Sequence, residues 1–167
     1  MRQVSDVMTR GVRTLSPNDT LLVAAQAMQE LDVGAIPVCQ ADHLVGMVTD
    51  RDIVVRGVAQ GCAADHTPLN DVMSRDVQCC FEDQPLDEVL EQMRDAQVRR
   101  VPVVDRAEHL VGIVSLGDVA VKADETRAGE ALESISEPAA PDRSGQSQAS
   151  GAAGGGSAAG QARGGPR

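Results

Sequence analysis

The chain of 167 residues is 42% hydrophobic, carries a formal net charge of −10, and has Phe81 as its only Phe, Trp or Tyr. That length suits one ordinary domain or two small ones, with a core of aliphatic side chains. The acidic balance excludes nucleic acid and an anionic membrane as main partners, since both need a basic footprint, and the aromatic content offers no platform for stacking bases.

The stretch from Pro138 onward holds Asp142 against Arg143, Arg163 and Arg167, so the preceding residues carry −12. No apolar run approaches the ~20 residues of a membrane span. The first residues, Met1-Arg2-Gln3-Val4-Ser5-Asp6, lack the apolar region of a signal peptide. The expectation is a cytoplasmic protein whose four cysteines, Cys39, Cys62, Cys79 and Cys80, are thiols.

In chain order, Val4 to Met8 reads as a short helical turn and Val12 to Leu15 as a short extended segment. Ser16-Pro17-Asn18-Asp19 supplies turn and cap residues. Leu21, Ala24, Ala25, Met28 and Leu31 recur at helical spacing. Ala35 to Cys39 is a short apolar strand, Gln40-Ala41-Asp42 a turn, and Leu44 to Val48 a second strand. Being apolar on both faces, this second strand is expected to be central in a sheet. A helix runs from Asp50 to about Gly57, where glycine stops it.

The same order then returns. Asp6-Val7-Met8-Thr9-Arg10 recurs as Asp71-Val72-Met73-Ser74-Arg75, and Ile36-Pro37-Val38 as Val101-Pro102-Val103. His43-Leu44-Val45-Gly46-Met47-Val48-Thr49 recurs as His109-Leu110-Val111-Gly112-Ile113-Val114-Ser115. The second main helix shows Leu86, Val89, Leu90 and Met93, and a last helix starts near Leu116. A repeat this long is a small folding unit, and two copies point to a pseudo-two-fold structure with two related sites. Residues 1–62 form the first unit, 63–126 the second, and 127–167 a C-terminal extension. From about Pro138 the Ala, Gly, Ser and Gln content reads as disordered tail.

Pro37 and Pro102 each sit inside a strand-like run. Proline cannot donate to a ladder, so each marks an edge or strand end where a ligand could reach main chain. Beyond them, Thr49-Asp50-Arg51-Asp52 and Ser115-Leu116-Gly117-Asp118 share the pattern [S/T]-x-x-D at a strand-to-helix junction. In form this is a capping box, in which the hydroxyl and the acid satisfy backbone N–H groups reciprocally. The same atoms suit a nucleoside phosphate: N–H groups and a hydroxyl for phosphate, and a carboxylate for a ribose diol. The local pattern leaves both readings open.

Gly34 to Val38 with Leu44 to Asp52, and Val98 to Val104 with Leu110 to Asp118, resemble the signature of a CBS (cystathionine-β-synthase-type) domain. The opening Asp-Val-Met-Thr/Ser-Arg is similar as well, and the two signatures span roughly residues 4 to 124. The resemblance implies an α/β (α+β) fold of tandem units, each β-α-β-β-α, packed through their sheets as in stand-alone two-CBS proteins. It implies a homodimer, and adenosine-containing ligands such as AMP, ADP, ATP, NAD or S-adenosylmethionine in clefts between the units. No cofactor is required, and the regulated partner protein is unknown. By position, Asp52 and Asp118 would hold ribose hydroxyls, with Thr49 and Ser115 near phosphate. Ile36 and Val101, just before Pro37 and Pro102, would pack on adenine. Thr14, Leu15, Cys79 and Cys80 would offer main-chain contacts. Arg99 and Arg100 would meet phosphate, with Arg51 or an arginine of the other copy compensating for Gly34-Ala35 in the first copy.

Nothing in the sequence offers a nucleophile with a paired base, so a non-catalytic sensor is expected. The competing reading is a metal- or redox-responsive protein. His43 and His109 occupy matched loop positions, and Cys62, His66 and Cys79-Cys80 add soft ligands, though none has zinc-site spacing. An interaction module with unoccupied clefts is the remaining alternative.

Overall fold

A computed structural model describes residues 2–123 and 125–136. The expected disordered tail lies outside these residues. The elements are β1 (Thr9–Arg10), α1 (Leu21–Leu31), β2 (Ala35–Gln40), β3 (His43–Thr49) and α2 (Asp50–Asp52), then β4 (Cys80–Phe81), α3 (Leu86–Ala96), β5 (Arg100–Val104), β6 (Leu110–Ser115), α4 (Leu116–Lys122) and α5 (Glu125–Ser136). The mixed α+β architecture contains the expected repeat of helix, hairpin and helix.

Helix α1 starts at Thr20, whose hydroxyl accepts from Val23 N, and ends at the left-handed Asp32. It buries Leu21, Ala24, Ala27 and Met28, whereas Ala25 and Leu31, expected on that face, are exposed. Helix α3 buries Leu86, Val89, Leu90 and Met93, the apolar stripe of the sequence. The helix begun by α2 does not stop at Gly57. It continues through a π-helical turn, Ile53–Gly57, and a 3-10 turn, Val58–Gln60, and ends at Gly61 with φ +73°. Gly57 serves packing instead: a Cβ there would lie 2.7 Å from Leu21 Cδ1.

Strands β4, β5 and β6 of the second repeat, with β1, form a four-stranded sheet, β1-β6-β5-β4, in which β4 and β5 are parallel and the other pairs antiparallel. The first repeat builds the hairpin β2–β3, flanked by single bridges from Leu15 to Val38 and from Ser74 to Met47. Strands β3 and β6, apolar on both faces, are thus flanked on both sides as expected, and so are β2 and β5.

The repeats exchange their opening segments. β1 belongs to the first copy yet pairs with β6 of the second, Thr9 opposite Ile113. Reciprocally, Ser74 of the second copy exchanges both backbone hydrogen bonds with Met47 of the first, each at 2.9 Å. The cores follow suit. Val4, Val7 and Met8 are buried among Leu86, Leu90, Met93 and Val114, while Leu69, Val72 and Met73 are buried among Leu21, Met28 and Val48. Burying each such side chain contributes about 1.5–3 kcal/mol. The exchange also explains a glycine at the same place in each central strand. A Cβ on Gly46 would lie 2.6 Å from Ser74 O, and one on Gly112 2.5 Å from Thr9 O. Only a residue without a side chain lets the partner segment cross so closely.

Helix α5 is absent from the sequence expectation, which ended the second repeat at 126. Its Ala131 is fully buried in the second core, and Ile135 packs against that core.

Candidate functional site

A broad cavity of ≈ 1630 Å³ opens between the repeats. Thr49 and Arg51 reach it from the first repeat, and Arg99, Arg100, Pro102 and Ser115 from the second. Three guanidinium groups and two hydroxyls thus share one wall system in an otherwise acidic body. Asp50 and Asp76 line it too, and Gly129 and Leu132 bring α5 to its edge. Arg99 Nη2 donates to Ser136 Oγ at 3.2 Å, tying that arginine to α5. The two helix starts open into a single space rather than two separate clefts.

The backbone at both prolines follows a common plan. Leu15 N donates to Pro37 O at 3.0 Å and Cys39 N to Leu15 O at 2.8 Å, so pairing on that edge of β2 begins only at the proline. In the second repeat β4 pairs with Val103 and Val104, just beyond Pro102. The edge before each proline, at Ala35-Ile36 and Arg100-Val101, has no partner strand among the described residues.

The remaining candidates are set back. Ile36 and Val101 are buried in the two cores, and neither lines the cavity. Leu15 has both backbone groups engaged by β2, and Thr14 beside it is exposed. Cys80 is buried, with Sγ 3.8 Å from Pro102 O. Cys79 is exposed at a second hollow of ≈ 190 Å³, beside Phe81 and Arg75, and its carbonyl accepts from Gln92 Nε2 at 3.3 Å. Burial pushes the Cys80 thiol up to about 12, helped by Cys79, and burial with nearby Asp42 pushes Cys39 up to about 11.

Asp52 and Asp118 form complete capping boxes and do not line the cavity. Asp52 Oδ2 accepts from Thr49 N at 3.0 Å, and Thr49 Oγ1 accepts from Asp52 N at 3.0 Å. Asp118 Oδ2 accepts from Ser115 N at 3.0 Å and Ser115 Oγ at 2.6 Å. Its Oδ1 accepts from Thr9 Oγ1 at 3.0 Å, from the exchanged segment. Burial opposes the charge on Asp118, but the Ser115 and Thr9 hydrogen bonds and the Lys122 cation outweigh it and hold the carboxyl below its ordinary range. Four residues on, Arg56 and Lys122 each reach across to the exchanged segment, Arg56 Nη1 to Val72 O at 3.1 Å and Lys122 Nζ to Val7 O at 2.9 Å. Thr9 is not among the residues that the sequence singles out, although its recurrence as Ser74 in the repeated motif marks the position.

His43 and His109 occupy matched loop positions in the sequence. The structure brings their rings together, with centroids 4.6 Å apart, where the two hairpins bridge. Among the described residues, no three His, Cys, Asp or Glu side chains cluster to hold a metal ion. Among the same residues, no helix is long and apolar enough to cross a membrane.

Two exchanged repeats around one arginine-bearing cavity are the frame of a tandem-repeat regulatory module. The CBS domain model matches residues 4–57 and 69–124, and the chain belongs to the CBS-domain family, with two copies of the domain. It is 44% identical over 137 residues to the CBS domain-containing protein YhcV of Bacillus subtilis, covering 81% of this chain and 96% of that one. It is 40% identical over 122 residues to hypoxic response protein 1 of Mycobacterium tuberculosis, covering 72% and 84%. The crystal structure of Hypoxic Response Protein I, with two coordinated zinc ions, superposes with a TM-score of 0.66 at 38% identity, over 72% of this chain and 98% of that one. The CBS domain pair of protein MJ0100, solved with 5′-methylthioadenosine and S-adenosyl-L-methionine, superposes with a TM-score of 0.64 at 28% identity, over 72% and 94%.

Proposed function

We propose that this CBS pair is a non-catalytic sensor that binds an adenosine-containing ligand in the cavity between its repeats and signals to a partner protein. The observation that carries this reading is the lining of that cavity. The Thr49 and Ser115 hydroxyls line it together with Arg51, Arg99 and Arg100, whose guanidinium groups supply donors and cations for phosphate or carboxylate. Asp52 and Asp118 stand behind these hydroxyls as acceptors for ribose, and the unpaired edges before Pro37 and Pro102 leave main-chain groups for adenine. The adenosine-derived ligands of the MJ0100 pair support the class of molecule. A ligand acts only through its differential affinity for two arrangements of the repeats. The exchanged segments give it purchase, because they tie each repeat to the other's core.

The regulated form is a homodimer in this reading. Leu22 and Val23 of α1 and Val54, Val55 and Val58 of the adjoining helix are exposed apolar side chains on neighbouring elements, which a second copy would cover. The hypoxic relative supports a stress-linked role.

Thermal-shift screening of ligand-free protein against AMP, ADP, ATP, NAD, NADH and S-adenosylmethionine tests the proposal. A ligand at a hundred times its Kd adds about 2.7 kcal/mol of stability. Silence across the whole panel removes the reading.

A metal-responsive function is a second reading, favoured by the contact of His43 with His109 and by the zinc ions of Hypoxic Response Protein I. Elemental analysis of chelator-free protein decides it. Stoichiometric zinc that disappears in His43→Ala and His109→Ala supports this reading, and its absence from wild type ends it.

A further inference from the structure

We propose that Thr9 sets the order in which the two repeats take their ligands, by closing the Asp118 position so that a ribose is held first at Asp52. This rests on the ribose role of the two aspartates given above and deepens it.

Asp52 and Asp118 are equivalent in sequence, and each uses Oδ2 to cap its own helix. They differ at Oδ1. In Asp118 this oxygen accepts from Thr9 Oγ1 at 3.0 Å and lies 3.5 Å from Lys122 Nζ, while Oδ2 holds two donors of Ser115. Both oxygens of that carboxylate already have partners. In Asp52 the matching oxygen has only Arg56 Nη1, at 3.9 Å. Among the described residues no hydrogen bond joins Asp52 to Ser74, the equivalent of Thr9. Both carboxylates have little exposure, 13% for Asp52 and 19% for Asp118, so solvent access does not offset the difference.

A diol arriving at Asp52 adds hydrogen bonds to an oxygen with room for them. A diol arriving at Asp118 must first displace the Thr9 hydroxyl. Thr9 sits in β1, opposite Ile113 of β6, so displacing it also loosens the exchanged segment from the second repeat. The second ligand therefore meets a competitor inside the protein that the first does not. A hydrogen bond to a charged group is worth roughly tenfold or more in affinity.

Isothermal titration of the full chain with AMP tests this. Wild type is expected to bind in two phases separated by about tenfold or more. Asp52→Asn removes the tight phase. Thr9→Val strengthens the weak phase by about tenfold and leaves the tight one in place. Should Thr9→Val melt early, Thr9→Ala deletes the same hydroxyl without added bulk. Two equal phases in wild type, or a weak phase unmoved in the folded Thr9 variant, overturn the proposal while the loss in Asp52→Asn keeps the ribose role standing. Absence of AMP binding, or binding indifferent to both Asp52→Asn and Asp118→Asn, removes the ribose role and the proposal together.

Discussion

The imidazole rings of His43 and His109 face each other at 4.6 Å between centroids, tilted by 41°. These are equivalent residues of the two repeats, and their backbones form the bridge between the hairpins, reinforced by Leu110 N donating to Asp42 O at 3.0 Å. Asp105 Oδ2 lies 3.2 Å from His109 Nδ1, and that carboxyl is held below its ordinary range, chiefly by the His109 backbone N–H. Neutral rings in such contact attract by about 0.5–1.5 kcal/mol. A double-mutant cycle of His43→Ala and His109→Ala should therefore give a favourable coupling of that size in urea denaturation. Strictly additive losses would contradict this.

The exchanged segments make a sharper demand at glycine. Gly46→Ala and Gly112→Ala put a methyl group 2.6 and 2.5 Å from a carbonyl oxygen of the crossing backbone, which cannot rotate away as a side chain can. Each should destabilise the protein by about 1–3 kcal/mol in urea denaturation. Gly129→Ala in α5 meets nothing within 4 Å and should instead gain about 0.5–1 kcal/mol.

Thiol chemistry separates two adjacent residues. Cys80 at about 12 and Cys39 at about 11 stay protonated at neutral pH, while Cys79 is exposed. A thiol reagent at pH 8 should label Cys79 rapidly in the native protein and spare Cys39 and Cys80. Cys79→Ser should abolish the fast phase; fast labelling of Cys80 in native protein would count against the structure at β4.

Acid should weaken the fold through Asp118. A carboxyl depressed in the folded state stabilises fully above the ordinary value of about 3.9, and that contribution is lost as pH falls through the depressed value. Asp118→Asn should therefore be less stable than wild type at pH 7, and the gap should narrow below about pH 4. Urea midpoints measured from pH 7 to pH 3 check the sign.

The cavity arginines predict a charge preference. Arg100→Ala should weaken ATP more than AMP, because the longer phosphate chain carries more charge for the remaining guanidinium groups to meet. Calorimetry with both nucleotides decides it, and identical losses for the two would assign Arg100 a role away from phosphate.

Much of this was readable from residues alone. The equivalence of Leu44–Val48 with Leu110–Val114, the two helix stripes and the prolines at strand edges all follow from local periodicity, which depends on neighbours in sequence. The exchange of Val4–Met8 with Leu69–Met73 is invisible to periodicity, because either copy's segment would fill either core equally well in pattern. Helix α5 is hard to read from sequence because, among its described side chains, one small residue, Ala131, is fully buried, in a stretch otherwise rich in Glu and Ser. The capping-box pattern is visible in the sequence, where it leaves capping and ligand binding both open, but the Thr9 bond to Asp118 spans 109 residues and needs coordinates.

The swap of opening segments has a bearing on how such a molecule can be divided. Cut in the linker between the repeats, each fragment would carry a plug for the other's core and leave its own unsealed. Neither half is then a self-sufficient globule; mixed, the two should complement each other and refold as one body. By the same logic, an ancestor with a single copy could have closed its core only by trading segments with a second molecule, and joining the copies in one chain made that handshake permanent.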